Sequence, residues 1–213
     1  YTHNIYIGRI GLLNVRYSFF HESKVGHNLK TRARENVIEN SYFADGGSGT
    51  SSYLLNFDNG GRAVLRGNLL HKGPNASNSI LITHYANIWG ASYNSLTLEH
   101  NTIVSTYSGG QFIDVNTGAP VTLTANIFAG TGNPSLLGGT AATQTSNVIT
   151  SAAQIPGASN MATPNFWPAP SLLSQLNLPS SIVPAYTSDS PRPYMARAIT
   201  GPTRLVGALQ STP

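Results

Sequence analysis

The chain has 213 residues, 12 Lys and Arg against 8 Asp and Glu, no Cys, and only 9% charged residues, where a typical globular chain carries about 25%. This length fits one sizeable core plus a tail, the lack of Cys excludes a disulfide-stapled miniprotein, and the scarcity of Glu and Lys excludes a bundle of long amphipathic helices. In their place, 20 Asn, 23 Ser and 20 Thr supply uncharged polar side chains suited to strands and turns, so an all-β protein is expected. No apolar run approaches the roughly 20 residues needed to cross a bilayer, and no signal-peptide pattern opens the chain. A chain that begins at Tyr1, without Met and already within a strand pattern, is expected to be processed or a fragment. Absence of Cys together with low charge fits a secreted protein, extracellular or periplasmic.

Residues 1–72 hold nine of the twelve basic side chains against five acids. Such a clustered positive field either serves solubility or gathers an anionic partner, for which acidic polysaccharide, nucleic acid and membrane surface all qualify. Nucleic acid is a weak third option behind polysaccharide cleavage and carbohydrate binding.

The chain repeats itself. Ile38-Glu-Asn-Ser-Tyr-Phe43, Leu65-Arg-Gly-Asn-Leu-Leu70, Leu98-Glu-His-Asn-Thr-Ile103, Leu123-Thr-Ala-Asn-Ile-Phe128 and the weaker Gln144-Thr-Ser-Asn-Val-Ile149 share one pattern, and Val15-Arg-Tyr-Ser-Phe-Phe20 is an earlier copy. The register residues are Ser18, Ser41, Asn68, Asn101, Asn126 and Asn147. Between them lie alternating apolar segments at Val25–Lys30, Tyr53–Asp58, Ile80–Tyr85 and Phe112–Asn116, which gives two short strands per period. Periods of this size without helices predict a parallel solenoid of about six coils over 1–152, a rod roughly 29 Å long at about 4.8 Å per coil. Like residues then stack, with Leu29, Phe57, Ile82 and Val115 in one interior column and Ile38, Leu65, Leu98 and Leu123 in another. Asn at the repeated corner suits left-handed geometry and bonds to the Asn of the next coil.

Residues 155–213 contain ten of the thirteen prolines, a density that forbids regular helix or ladder interiors. The stretch 153–213 is expected to be an extended tail packed on the rod, with a short amphipathic segment at Ser171–Leu178. Its closing Arg204–Gln210 is expected to cover the last coil and blunt an open sheet edge. At the other end, the first coil is a place for edge-to-edge pairing or partner docking.

These coils resemble the right-handed parallel β-helix repeat proteins, the superfamily of pectate lyases, polygalacturonases, alginate lyases and chondroitinase-type enzymes. More closely, His3-Asn-Ile-Tyr6, Lys24-Val-Gly-His27 with Lys30-Thr-Arg-Ala33, Asp58-Asn-Gly-Gly61, Arg66-Gly-Asn68 and the closing Val206-Gly-Ala-Leu-Gln210 are similar to a group of secreted bacterial β-helix proteins, mostly of unassigned reaction. The resemblance implies a ligand lying along an outer face and, where there is a reaction, attack on a polysaccharide.

If Leu29, Phe57 and Val115 point inward, alternation sends Asn28, Lys30, Asn56, Asp58, Asp114 and Asn116 outward. His84 or Tyr85 joins them depending on register, and Arg32 and Arg34 reach the rim. Lyases of this architecture use a Lys, Arg, His or Tyr base while a cation or amide neutralises the uronate carboxylate. Lys30 as base, with Arg32 and Asn56 around the carboxylate, is the concrete version; Asp58 and His84 complete the catalytic set with Lys30 and Arg32, and Asn28, Arg34, Asn56, Tyr85 and Asp114 would bind substrate. The competing reading makes Asp58 a simple ion-pair partner of Lys30 and the protein a non-catalytic carbohydrate-binding or structural module. Hydrolysis is disfavoured because Asp58 and Asp114, two coils and roughly 10 Å apart, exceed the inverting separation. No metal or other cofactor is expected, since grouped carboxylates and short His spacings are missing. Tyr53, Tyr85, Trp89 and Tyr93 form either a sugar-stacking platform or the packing of a long loop.

Overall fold

The computed structural model describes residues 2–178, 186–188, 196–198 and 205–210. The chain forms a parallel β-solenoid of six coils, each contributing one strand to each of three six-stranded sheets. The first sheet holds Ile5–Ile7, Leu29–Thr31, Leu55–Phe57, Ile80–His84, Gln111–Val115 and Ser135–Gly138. The second holds Leu12–Arg16, Glu35–Glu39, Arg62–Arg66, Ser95–Glu99, Val121–Thr124 and Ala142–Thr145. The third holds Phe19–His21, Tyr42–Ala44, Leu69–Lys72, Thr102–Ser108, Ile127–Thr131 and Val148–Ser151.

Each coil thus has three strands where the sequence pattern suggested two. The repeated segment is not one strand but a corner with a strand on either side: Ile38 belongs to the second sheet and Phe43 to the third. Both are fully buried. At the corner, backbone N–H groups of Ser18, Ser41, Asn68, Asn101 and Asn126 donate to the side-chain oxygen of the next register residue, at 2.9–3.2 Å. The amides of Asn68, Asn101 and Asn126 also donate along the same column. Left-handed backbone is taken not by the register residue but by the one before it: Tyr17, Asn40, Gly67, His100, Ala125 and Ser146 have φ between 46° and 62°.

Two stacked columns fill the first-sheet side of the interior, one of them wholly apolar. Leu29 sits over Leu55, Ile82 and Ile113, whereas Phe57 lies in the next column with Thr31, His84 and Val115. The single column expected from Leu29 to Val115 is therefore two, offset by two residues. The second interior column, Ile38, Leu65, Leu98 and Leu123, aligns as expected. On the outer side of the second sheet, Arg16, Glu39, Arg66 and Glu99 alternate in sign on successive coils and pair at 2.6–3.5 Å. Part of the basic excess of the amino-terminal third is consumed in this ladder.

After the last strand of the solenoid, turns at Ala152–Gln154 and Pro156–Ser159 and a short helix at Pro170–Leu173 carry the chain back along the third sheet. Ile155, Ala158, Phe166, Leu172 and Leu176 form a second core there with Tyr42, Leu69, Val104 and Ile127. Leu205–Gln210 joins it: Gly207 N–H donates to the Ala125 carbonyl at 2.8 Å and Ala208 N–H to Thr102 Oγ1 at 3.1 Å. This segment packs on the side of the middle coils, not over the last one; Arg204 falls outside the described residues. Among the described residues, six of the eight exposed large hydrophobics, Tyr6, Ile10, Leu12, Tyr17, Phe19 and Val25, belong to the first coil or the turn after it. Among the described residues no helix is long and apolar enough to cross a membrane.

Candidate functional site

The outer face of the first sheet gathers most of the polar side chains singled out above. Pairing aligns Tyr6, Lys30, Asn56, Thr83 and Asp114 as one outward row. Backbone hydrogen bonds carry the same stacking two residues further, to Arg32, Asp58, Tyr85 and Asn116.

At the centre of the face, Asp58 accepts from Arg32 Nε at 2.8 Å and pairs with Lys30 Nζ at 3.3 Å. Burial works to raise the Asp58 carboxyl, but the bond from Arg32 and the charge of Lys30 outweigh it, so the group ionises below its ordinary range. Lys30 and Arg32 also lie 5.7 and 5.4 Å from the ring centre of Tyr6, within cation–π reach. Two cations thus converge on one half-buried carboxylate and one aromatic face. Further along, the Tyr85 hydroxyl donates to Asp114 at 2.5 Å. Burial and that bond raise the Tyr85 hydroxyl well above its usual value.

Three candidates lie elsewhere than the alternation argument put them. His84 shares parity with Ile82, faces inward and is fully buried; the outward place is taken by Thr83. Its Nε2 bonds the Gly61 carbonyl at 2.9 Å and its Nδ1 faces Thr117 Oγ1 at 3.1 Å, so both ring nitrogens are spent on holding a corner. Asn28 is fully buried in the turn before its strand, with its oxygen accepting from Asn4 Nδ2 at 2.8 Å. Arg34 turns toward the second sheet, where its guanidinium and that of Arg62 lie 4.3 and 4.5 Å from the Tyr93 ring centre. Asn56 keeps its place in the row but is buried.

What covers Asn56 is a column of rings. His3 and His27 lie 4.7 Å apart, His27 and Tyr53 stack at 4.9 Å, and Tyr53 meets Tyr85 edge-on at 6.2 Å. The turn carrying Tyr53 is held by Lys72, whose buried ammonium donates to the Ser52 carbonyl at 2.6 Å and the Ser51 carbonyl at 3.4 Å. Burial pushes the Lys72 ammonium down to about 8, partly opposed by Asp45. Period-two reading left His3 and Lys72 unassigned because it weighs single strands, while the column forms only when turns of successive coils stack.

A cavity of about 290 Å³ opens beside this column, lined by His3, Val25, Gly26, His27, Lys30 and Ser52. A larger cleft of about 740 Å³ lies against the third sheet, but Phe19, Tyr42, Ala44 and Met161 make it largely apolar and its one charged lining residue is Glu22. Among the described residues no three His, Asp or Glu side chains come together as a metal would require. Compared with known protein families, curated proteins and solved structures, the chain matches none.

Proposed function

We propose that the outer face of the first sheet binds an acidic polysaccharide, laid along the rod so that successive sugars meet successive coils. The observation that carries this reading is the convergence of Lys30 and Arg32 on Tyr6 and Asp58. An aromatic face takes the apolar side of a sugar ring, and flanking ammonium and guanidinium groups take carboxylates. Strand rows at about 4.8 Å offer an extended chain regularly spaced contacts. Low charge and absence of Cys support a secreted protein, and the resemblance to β-helix polysaccharide lyases supports the substrate class.

Of the two forms, binding and β-elimination, the Asp58 contacts favour binding. Lys30 and Arg32 are both engaged by a carboxylate, which equips them to hold anions rather than to take a proton from C5 of a uronate. Calorimetry with pectate, alginate and glycosaminoglycan oligomers tests the reading. Arg32→Ala removes a charge-assisted contact of about 1.5–3 kcal/mol, so its affinity should fall roughly 10- to 100-fold, and binding should weaken as salt rises. Affinity equal to wild type would overturn it. Absorbance near 235 nm that grows with wild type and not with Lys30→Ala would reassign the face as a lyase site.

A further inference from the structure

We infer that the 290 Å³ cavity beside the first sheet is a subsite for one uronate carboxylate, in which His3 and Lys30 act as hydrogen-bond donors and His27 is the positioning residue beneath them. The inference rests on the polysaccharide reading above and extends it to residues outside the strand rows.

Backbone N–H groups only donate, and two of them fix the imidazole tautomers here. The N–H of His27 points at His3 Nδ1 at 2.9 Å, and the N–H of Tyr53 points at His27 Nδ1 at 3.2 Å. Each Nδ1 must therefore carry the lone pair, and each neutral ring must carry its proton on Nε2. Repeated one coil apart, the same contact fixes both tautomers. His27 Nε2–H then meets the Asn56 amide, 3.2 Å from the atom placed as nitrogen. A donor there needs an acceptor, and Asn56 Oδ1 is otherwise buried without a partner, so the amide is assigned with its oxygen toward His27.

This arrangement denies both imidazoles the role of base. Protonation would set N–H against N–H at Nδ1, and the surroundings act in the same direction. Burial, then repulsion from His3 when that ring is protonated and from Lys30, bring His27 down to about 4, with Lys72 adding to the effect and Asp58 opposing it. Burial and Lys30 also lower His3, again against Asp58. Tyr6 is the other titratable ring packed on His3, and Tyr53 the other on His27.

What remains is a cavity of donors. His3 is only partly buried, and its Nε2–H has no protein partner among the described residues. Lys30 brings three N–H bonds, of which Asp58 takes one direction. A ligand that fits must supply acceptors and negative charge, and about 290 Å³ lies near the lower end, roughly 300 Å³, of the range for small-ligand cavities, suited to one sugar residue.

The lip of the cavity is strained as well. Val25 has φ +60°, left-handed backbone that costs a β-branched residue roughly 1–2 kcal/mol. A Cβ at Gly26 would fall 2.2 Å from the Thr2 carbonyl oxygen. Val25 thus holds the turn in an unfavourable path beside the opening, as ligand clamps do, and Gly26 leaves room for the close approach of the Thr2 carbonyl.

Oligogalacturonate and oligomannuronate, with their reduced neutral counterparts, are titrated against wild type, His3→Ala, His3→Gln and Arg32→Ala, with circular dichroism to verify folding. His3→Ala should lose about tenfold in uronate affinity and nothing for the neutral oligomers, and His3→Gln, whose amide again donates, should recover most of the loss. Ring 15N NMR should show both rings as Nε2–H tautomers at pH 8, with His27 keeping that form down to pH 5. Uronate binding unchanged in His3→Ala but lost in Arg32→Ala would overturn the subsite and leave the polysaccharide reading standing. Failure of wild type to bind any uronate oligomer would overturn both, and an Nδ1–H tautomer at either ring would overturn the donor assignment by itself.

Discussion

Asn101 is fully buried and uses its whole amide. Its oxygen accepts from both the N–H and the amide of Asn68 at 3.0 Å, and its nitrogen donates to the Leu65 carbonyl and to Asn126 at 2.9 Å. Asn101→Ala strands a buried N–H and a buried carbonyl, each costing about 1–3 kcal/mol. Urea denaturation should show a loss of about 3 kcal/mol, against about 1 kcal/mol for Asn147→Ala, whose column end is only partly buried. The ladder was legible because six short segments repeat around one small polar residue, Ser or Asn. The left-handed position beside it was not, since Tyr17, Asn40, Gly67, His100, Ala125 and Ser146 share no chemistry and their φ is imposed by the corner. His3 was illegible for a related reason: its role depends on a hydrogen bond from His27, 24 residues later.

At the scale of strands and turns, the corner between the first and second sheets shows what fixes the candidate face. Gly61 has φ +89°, and a Cβ there would lie 2.4 Å from the Arg34 carbonyl oxygen. Its own N–H donates to Asn94 at 2.7 Å and its carbonyl receives His84. Gly61→Ala combines left-handed strain with a backbone clash, and should destabilise by about 2–4 kcal/mol, measured as a lowered denaturation midpoint. Because Asp58 opens the turn that Gly61 closes, the same variant should weaken polysaccharide binding more than its stability loss alone explains at temperatures where it remains folded. Register here could not be read ahead of the structure. The turns leading into the first sheet span 22–28, 45–54, 73–79, 109–110 and 132–134, so counting from the asparagine ladder does not carry over to this sheet. That variation is why Phe57 slipped two places from Leu29, and why His84 fell inside rather than in the outward row.

For the molecule as a whole, neutral histidines buried in the stack govern acid stability. His71 is fully buried, and desolvation brings it down to about 4; His27 is lowered to about 4 by burial and its charged neighbours. In the unfolded chain both titrate near their ordinary value of about 6.5. Above that pH both states are neutral and nothing is lost; as pH falls from 6.5 toward 4, only the unfolded chain takes up protons, so stability drops. Each contributes up to roughly 3 kcal/mol by pH 4. Folding free energy from urea titrations at pH 7.5 and 4.5 should differ by roughly 5 kcal/mol, and His71→Asn, which cannot titrate, should remove about half of the difference. A flat profile between those values would show that the imidazoles protonate freely in the fold. Composition alone indicated an all-β protein, and the repeat indicated stacked coils; how much of the surface charge is cancelled by Glu39, Glu99 and Asp58 became visible only with the sheets assembled.

The corner between the second and third sheets is always two residues, 17–18, 40–41, 67–68, 100–101, 125–126 and 146–147, whereas the other two edges vary from two residues to ten. Insertions and deletions are therefore tolerated along two edges of the prism and forbidden along the third. Since the candidate face lies between the two permissive edges, new loops can be grafted beside it, altering what it recognises while the spine that keeps the coils in step stays untouched.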